Sequence, residues 1–332
     1  MNFHLEFSPK PFSTKIKHQN KLLLIGSCFT ENIGSKLSQH KFSTLENPNG
    51  ILFNPASICT SLNSYVQNKQ YSLDELFYQN ETWNSWEHHS RFSHPDKEVC
   101  LEGINQSQQQ AHDFLKITDW LFVTLGSAFV YELFPLSGFW KGAGGEVVAN
   151  CHKVPTDKFN KRLLSVKEVV LMVDAAIKNL LVFNAELKII FTISPVRHLR
   201  DGFIENNRSK AILIQAVHQL VDEYPQLFYF PAYELVIDDL RDYRFFAEDM
   251  VHPNYSATNY VWDKFISCCI DDETKIIMQD INLINAAMHH KSFNPASAQH
   301  KKFLQVHVEK VQKLRNKLPY IDFDKEIEYF SI

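Results

Sequence analysis

The chain has 332 residues, enough for one large domain or two ordinary ones, so length places no limit on the fold. A formal charge of -4 and a 45% hydrophobic content describe a globular chain without a basic face, and nucleic acid is not an expected partner. The opening MNFHLEFSPKPFSTKIKHQNK lacks the apolar core of a signal peptide, and the best nearby apolar run, residues 22–25, is too short to span a bilayer. The expectation is a cytoplasmic protein with no membrane partner. Six cysteines are scattered with no CxxC pair, which fits buried thiols in a reducing compartment better than a disulfide framework or a zinc site.

The first apolar run, KLLLIG (Lys21–Gly26), reads as a strand; the SCFTENIGSKLSQ after it reads as a turn and a helix capped by Thr30 and running to about Gln39. The alternation recurs. Helical SQQQAHDFLKITD precedes strand-like WLFVTLG (120–126), and SVKEVVLMVDAAIKNLLVF precedes the buried-strand run LKIIFTIS (187–194). A helix over 206–224 then leads to LFYF (227–230). Apolar runs separated by helices predict a parallel sheet with helices on both faces. Between 129 and 155 the pattern breaks, with Gly142, Gly144 and Gly145 punctuating two strand-like stretches, and a hairpin excursion is expected there. Past Thr258 the chain is helical; in the last segment Phe303, Leu304, Val308, Val311 and Leu314 mark an apolar stripe that covers the sheet or a dimer contact. With no internal repeat or linker, residues 1–332 read as a single domain, with the excursion at about 129–155 and a helical extension at about 272–332.

Ligands of open parallel sheets bind beyond the carboxyl ends of the strands. Here those ends carry Ser27, then Gly126 and Ser127, then residues 194–198. A serine hydroxyl is a weak nucleophile until an imidazole takes its proton, and the imidazole works best when a carboxylate fixes its tautomer. EDMVHPNYSATNY places Asp249 and His252 in one short loop ahead of a helix, so one segment can supply both partners. Taken alone, a serine after a strand is ordinarily a cap and a D-x-x-H a surface hydrogen-bonded pair. Their order along an alternating α/β chain raises the catalytic reading.

The segments GSCFTENIG, TLGSAFVYE, VVANCHKVP, SPVRHLRDGFIENNRSK and EDMVHPN resemble, in order, the landmarks of the GSCFA family, from about Phe12 to Phe323. That family is considered similar to the SGNH, or GDSL-like, hydrolases. The resemblance implies a flavodoxin-like three-layer α/β/α fold, with Ser27 as nucleophile, His252 as base and Asp249 as the orienting carboxylate. GSAF (126–129) stands where those enzymes carry G-x-N-D. Gly50, in NPNGILFNP, is then expected as the second oxyanion donor beside the Ser27 amide, and the missing carboxamide comes from Asn150 or, with a weaker hydroxyl bond, Ser127.

Other polar residues have competing readings. Arg197 and His198 suit an anionic or carbonyl group of a substrate, unless Arg197 pairs with Asp201. Cys28 and Cys151 lie beside Ser27 and His152 as alternative thiols, and Cys28 should face the core if Ser27 caps the turn. His88 and His89 would point to opposite faces of an extended stretch, which argues against a shared metal, though either can reach the crevice. The function that follows is serine-dependent acyl-ester hydrolysis of a small-molecule or O-acylated carbohydrate substrate. The alternatives are an O-acyltransferase with the same triad, or a non-catalytic carbohydrate or small-ligand binding protein on the hydrolase fold. No cofactor is implied, since no G-x-G-x-x-G follows a strand and no P-loop is present; homo-oligomerisation is left open. A Ser27 hydroxyl within reach of His252, itself held by Asp249, would favour the enzyme.

Overall fold

The computed structural model describes residues 5–134, 145 and 147–331. The first half runs β1 (Lys21–Gly26), α1 (Cys28–Gln39), β2 (Ser43–Glu46), α2 (Pro55–Gln67), β3 (Leu76–Gln79), β4 (Thr82–Ser85), α3 (Lys97–Lys116), β5 (Trp120–Leu125), β6 (Phe129–Leu133) and β7 (Phe159–Leu163). The second half runs α4 (Val166–Phe183), β8 (Lys188–Ile193), α5 (Phe203–Glu223), β9 (Leu227–Tyr229), α6 (Ala232–Glu234), α7 (Tyr255–Cys269), α8 (Asp272–His289), α9 (Ala298–Lys317) and α10 (Asp324–Phe330).

Five strands form one parallel sheet in the order β2-β1-β5-β8-β9, which is the flavodoxin-like arrangement once the hairpin strands are set aside. Side chains alternate across it, as strand geometry requires. Leu23, Ile25, Leu121, Val123, Ile189 and Phe191 meet α2, α4 and α5 on one face. Leu22, Leu24, Trp120, Phe122 and Ile190 meet α1 and α7 on the other. Buried on both faces, β5 is a continuous apolar run with a single hydroxyl, Thr124. The three-layer architecture is the one the sequence led us to expect.

Several boundaries differ from the sequence reading for local reasons. The cap of α1 is Ser27, whose side chain accepts the Phe29 N–H, while Thr30 is wholly buried inside the first turn. Strand β2 is short and only partly buried, so it lacks an apolar run; α2 begins at Pro55 behind an Asn54 cap. The antiparallel β3–β4 hairpin turns on Asn80 and Glu81, both at positive φ, in the two-residue geometry that matches strand twist. Strand β6 pairs with β7, beyond the expected limit at 155, and Val147 adds one bridge to Glu132. Gly142 and Gly144 lie outside the described residues; Gly145 has φ 88°. The two hairpins share a small core of Phe77, Leu133, Val148, Val154 and Phe159, with Trp86 stacked on Phe77 at 3.7 Å.

Helices α8 to α10 have a separate core centred on Ile281, Ile284, Val311, Phe323 and Phe330. They attach at the carboxyl end of α1: Asn285 donates to Gln39 O, and Lys41 reaches both Asp322 O and the Glu326 carboxylate. A twelve-residue helix is about 18 Å long, which sets these contacts well away from Ser27 at its other end. Among the described residues no helix is long and apolar enough to cross a membrane.

Beside the hairpin core, His88 is 1% exposed. Its Nδ1 bonds Ser85 Oγ at 2.8 Å, its Nε2 has no protein partner, and Tyr71 and Phe92 meet its ring edge-on. Burial pushes its pKa down to about 3 from the ordinary 6.5. Between those values the unfolded chain binds the extra proton, so this contribution is intact above about pH 6.5 and is lost as pH falls toward 3. The shift corresponds to a loss on the order of 3–5 kcal/mol. We expect denaturant unfolding at pH 7 and pH 4.5 to show a steep fall in stability that His88→Gln makes shallower. An equal fall in both proteins would refute the assignment.

Candidate active site

Strand β1 ends on Gly26, at φ 141°, where an added Cβ would lie 2.2 Å from Thr124 O on β5. Only glycine lets the two strand ends approach this closely. The Gly26 N–H donates to Asn47 Oδ1 at 2.8 Å and its carbonyl accepts the Leu52 N–H, so residues 47–52 wrap around the end of β1. Ser27 follows directly. It is 1% exposed, its N–H donates to Thr124 O at 3.2 Å, and its Oγ accepts the Phe29 N–H at 3.3 Å.

The loop ahead of α7 carries the Asp249–His252 pair. Asp249 Oδ2 lies 2.6 Å from His252 Nδ1, and Asp249 Oδ1 accepts the N–H groups of Val251 and His252. Those bonds, from the His252 backbone first and its ring second, hold the Asp249 carboxyl down to about 2, so it is ionised at neutral pH. The ionised carboxylate selects the tautomer with the proton on Nδ1 and the lone pair on Nε2. The loop is joined to the end of β8, since the Arg197 N–H donates to Val251 O at 3.2 Å. His198 comes next; its Nε2 lies 3.3 Å from where a Gly126 Cβ would stand, and Phe53 meets its ring at 5.5 Å. Burial foremost, then the charges of Lys210 and His252, push His198 down to about 4 and keep its ring neutral.

The expected residues therefore gather unevenly. Ser27, Gly50, Ser127, Arg197, His198 and the Asp249–His252 pair all belong to segments around the carboxyl ends of β1, β5 and β8. Among the described residues Ser27 Oγ has its bond to Phe29 and none to His252. Two expected oxyanion donors are committed internally: the Ser27 N–H to Thr124 O, and the Gly50 N–H to Asn47 O at 2.7 Å. The first amide of α1, Cys28 N–H, has no main-chain acceptor among the described residues and stands at the positive end of the helix. Ser127 Oγ accepts the Phe129 N–H and meets Ser209 Oγ at 3.3 Å, so it faces the interior. Asn150 uses its Oδ1 on the His152 N–H, in a turn beside the hairpin core. Gly50 serves a packing need: at φ 82°, its Cβ would lie 2.1 Å from His89 Cβ.

Neither thiol is activated. Cys28 is partly exposed rather than turned to the core, and burial together with Glu31 raises its pKa; burial raises Cys151 to about 11. Among the described residues no three metal-ligating side chains converge.

Two residues of this site have no sequence signature. Asn47 is wholly buried; its Oδ1 holds Gly26, and its Nδ2 has no partner among the described residues. Lys210 is 1% exposed, with Nζ 2.6 Å from Gly126 O and 2.7 Å from Ser194 O, clamping the ends of β5 and β8 with no acidic partner among the described residues. Burial pulls its pKa down to about 7. In sequence it is one more lysine on an amphipathic helix, and only the topology puts it beneath the ends of β5 and β8.

Comparison with known proteins gives a family. The profile described as GSCFA family matches residues 21–265, and that described as GSCFA domain protein, C-terminal domain, matches 281–332. No curated protein matches the sequence. Among solved structures the chain is similar to a Streptococcus pneumonia protein provisionally described as a platelet activating factor, at 14% identity and TM-score 0.37, over 75% of this chain and 83% of that one. It is also similar to a carbohydrate esterase family 3 protein from Talaromyces cellulolyticus, at 8% identity and TM-score 0.35, over 80% of this chain and 99% of that one.

Proposed function

We propose, from the premise that this chain belongs to the GSCFA family, that it is a serine-dependent acyl-ester hydrolase with Ser27 as nucleophile, His252 as base and Asp249 as the group that orients it. The observation that carries the reading is the 2.6 Å bond from His252 Nδ1 to Asp249, in a loop tied to the carboxyl end of β8, at the same edge of the parallel sheet where β1 ends on Ser27. With Nδ1 occupied, the His252 Nε2 lone pair is free to accept a proton. Ser27 exchanges its cap on Phe29 for a bond to that nitrogen when substrate enters, as hydrogen bonds of unliganded sites tighten in the reacting complex. The serine oxygen then adds to the ester carbonyl, and the Cys28 N–H at the head of α1 takes the developing oxyanion. His252 returns the proton to the leaving alcohol, and water, deprotonated in turn by His252, releases the acid. A sugar hydroxyl in place of that water would give acyl transfer by the same steps. The single domain over 1–332, with its carboxy-terminal helices as an extension remote from the crevice, is part of the same proposal.

A binding-module reading draws support from one observation, the nearly complete burial of Ser27 with its hydroxyl engaged as a cap. A fluorophosphonate probe separates the two. The hydrolase reading expects covalent labelling confined to Ser27, and a folded protein left unlabelled at high probe concentration would favour binding. Asp249→Asn should slow ester turnover on the order of 10³-fold or more, because the amide no longer enforces the Nδ1–H tautomer. Turnover within a few-fold of wild type would remove Asp249 from the mechanism.

A further inference from the structure

Arg197 is fixed in place, and among the described residues no carboxylate pairs with it. Its guanidinium carbon lies 3.9 Å from the centre of the Phe246 ring and 5.1 Å from that of Tyr243. One nitrogen donates to Met250 O at 3.3 Å, and the backbone N–H is tied to Val251 O. These contacts place it against the loop that carries Asp249 and His252. The neighbouring carboxylates are already used: Asp201 pairs with Lys161, and Asp249 holds His252. Among the described residues Arg197 forms no ion pair, so the Asp201 pairing that the sequence allows is not made. The same loop carries His198, whose Nε2 is buried without a partner.

A guanidinium held over an aromatic ring spends none of its N–H donors on that contact, and those not taken by Met250 O can meet a carboxylate or phosphate. The stacking also removes part of the entropic cost of ordering a long side chain on binding. Aromatic stacking alone would explain Arg197 if a carboxylate also met it. With none among the described residues, in a chain of net charge -4, its remaining donors await an anion beside the reacting centre.

We propose that Arg197 is a specificity residue and that the substrate carries an anionic group, a carboxylate or a phosphate, placed beside the reacting ester; this rests on the hydrolase reading. The anion docks on the Arg197 edge, and the ester carbonyl falls between Ser27 and His252. Charge-assisted bonds of this kind correspond to roughly a ten- to hundred-fold preference in kcat/KM.

The test compares p-nitrophenyl butyrate with the mono-p-nitrophenyl ester of glutaric acid, using wild type, Arg197→Met and Arg197→Lys, each first shown to melt like wild type. The expected result is a preference of at least about tenfold for the anionic ester in wild type, abolished by Met and partly kept by Lys, with the change mainly in KM. Equal rates on the two esters in wild type, or an unchanged ratio in Arg197→Met, would overturn it. Binding of succinate and of inorganic phosphate to Ser27→Ala and to Ser27→Ala/Arg197→Met, followed by NMR shifts, separates the two proposals. Anion binding that needs Arg197 supports the anion site even if no ester is turned over, and the tighter of the two anions names the source. Binding indifferent to Arg197 overturns the site even if the protein proves to be an esterase.

Discussion

Ser27→Ala is expected to abolish ester turnover, by at least ~10³-fold in kcat/KM, while costing the fold only about 1 kcal/mol. The two effects differ because the hydroxyl has two roles. In the resting structure it caps α1 by accepting the Phe29 N–H at 3.3 Å, a weak contact in a helix that packs through Phe29, Ile33 and Leu37. In the proposed reaction it is the atom that bonds the acyl group, and no neighbour is expected to replace it. Cys28 is the nearest alternative, but burial and Glu31 keep its thiol protonated. Cys28→Ala should therefore retain most of the activity. Rates on p-nitrophenyl butyrate for both variants, with circular dichroism to confirm folding, decide the matter. A Ser27→Ala protein as active as wild type would eliminate the triad, and an inactive Cys28→Ala would shift the nucleophile by one residue.

Much of the fold is legible in the sequence because buried parallel strands leave a strong local signal. The runs that became β1, β5 and β8 are apolar on both faces and stand out from the amphipathic helices around them. Strand β2 is only partly buried, and β3 and β4 pair through a turn of Asn80 and Glu81 that contains no glycine, so neither left a comparable pattern. In the site, Asp249 and His252 were legible because they are three residues apart and one loop brings them together. The state of the candidate oxyanion amides was not. Whether an amide is free depends on which carbonyl it already meets, and the Asn47 O that occupies Gly50 N–H is set by a positive-φ turn no motif announces. Lys210 is a stronger case. Its 84-residue separation from Gly126 is closed only by the crossover of α5 over the sheet.

The second large effect is expected at Gly26. An alanine there meets two penalties at once, a φ of 141° that L side chains rarely adopt and a Cβ placed 2.2 Å from Thr124 O and 2.9 Å from Thr124 C and N. The obstacle is backbone in the centre of the sheet, flanked by β1–β5 pairing from Leu22 to Gly26, so neither strand can move aside without breaking that ladder. We expect Gly26→Ala to lose at least ~4 kcal/mol, in the range where a single substitution can unfold a domain. Gly103→Ala provides the contrast: it lies inside α3 with nothing within 4 Å of its Cβ position, and should gain about 0.5–1 kcal/mol from helix propensity. Urea midpoints of the two variants against wild type make the comparison. If Gly26→Ala were as stable as wild type, the close approach of β1 and β5 would be wrong, and with it the placement of Ser27 at the carboxyl end of β1. If it folds but is displaced, its stability and its fluorophosphonate labelling should fall together, because the turn that lets the strands meet is also the turn that aims the serine.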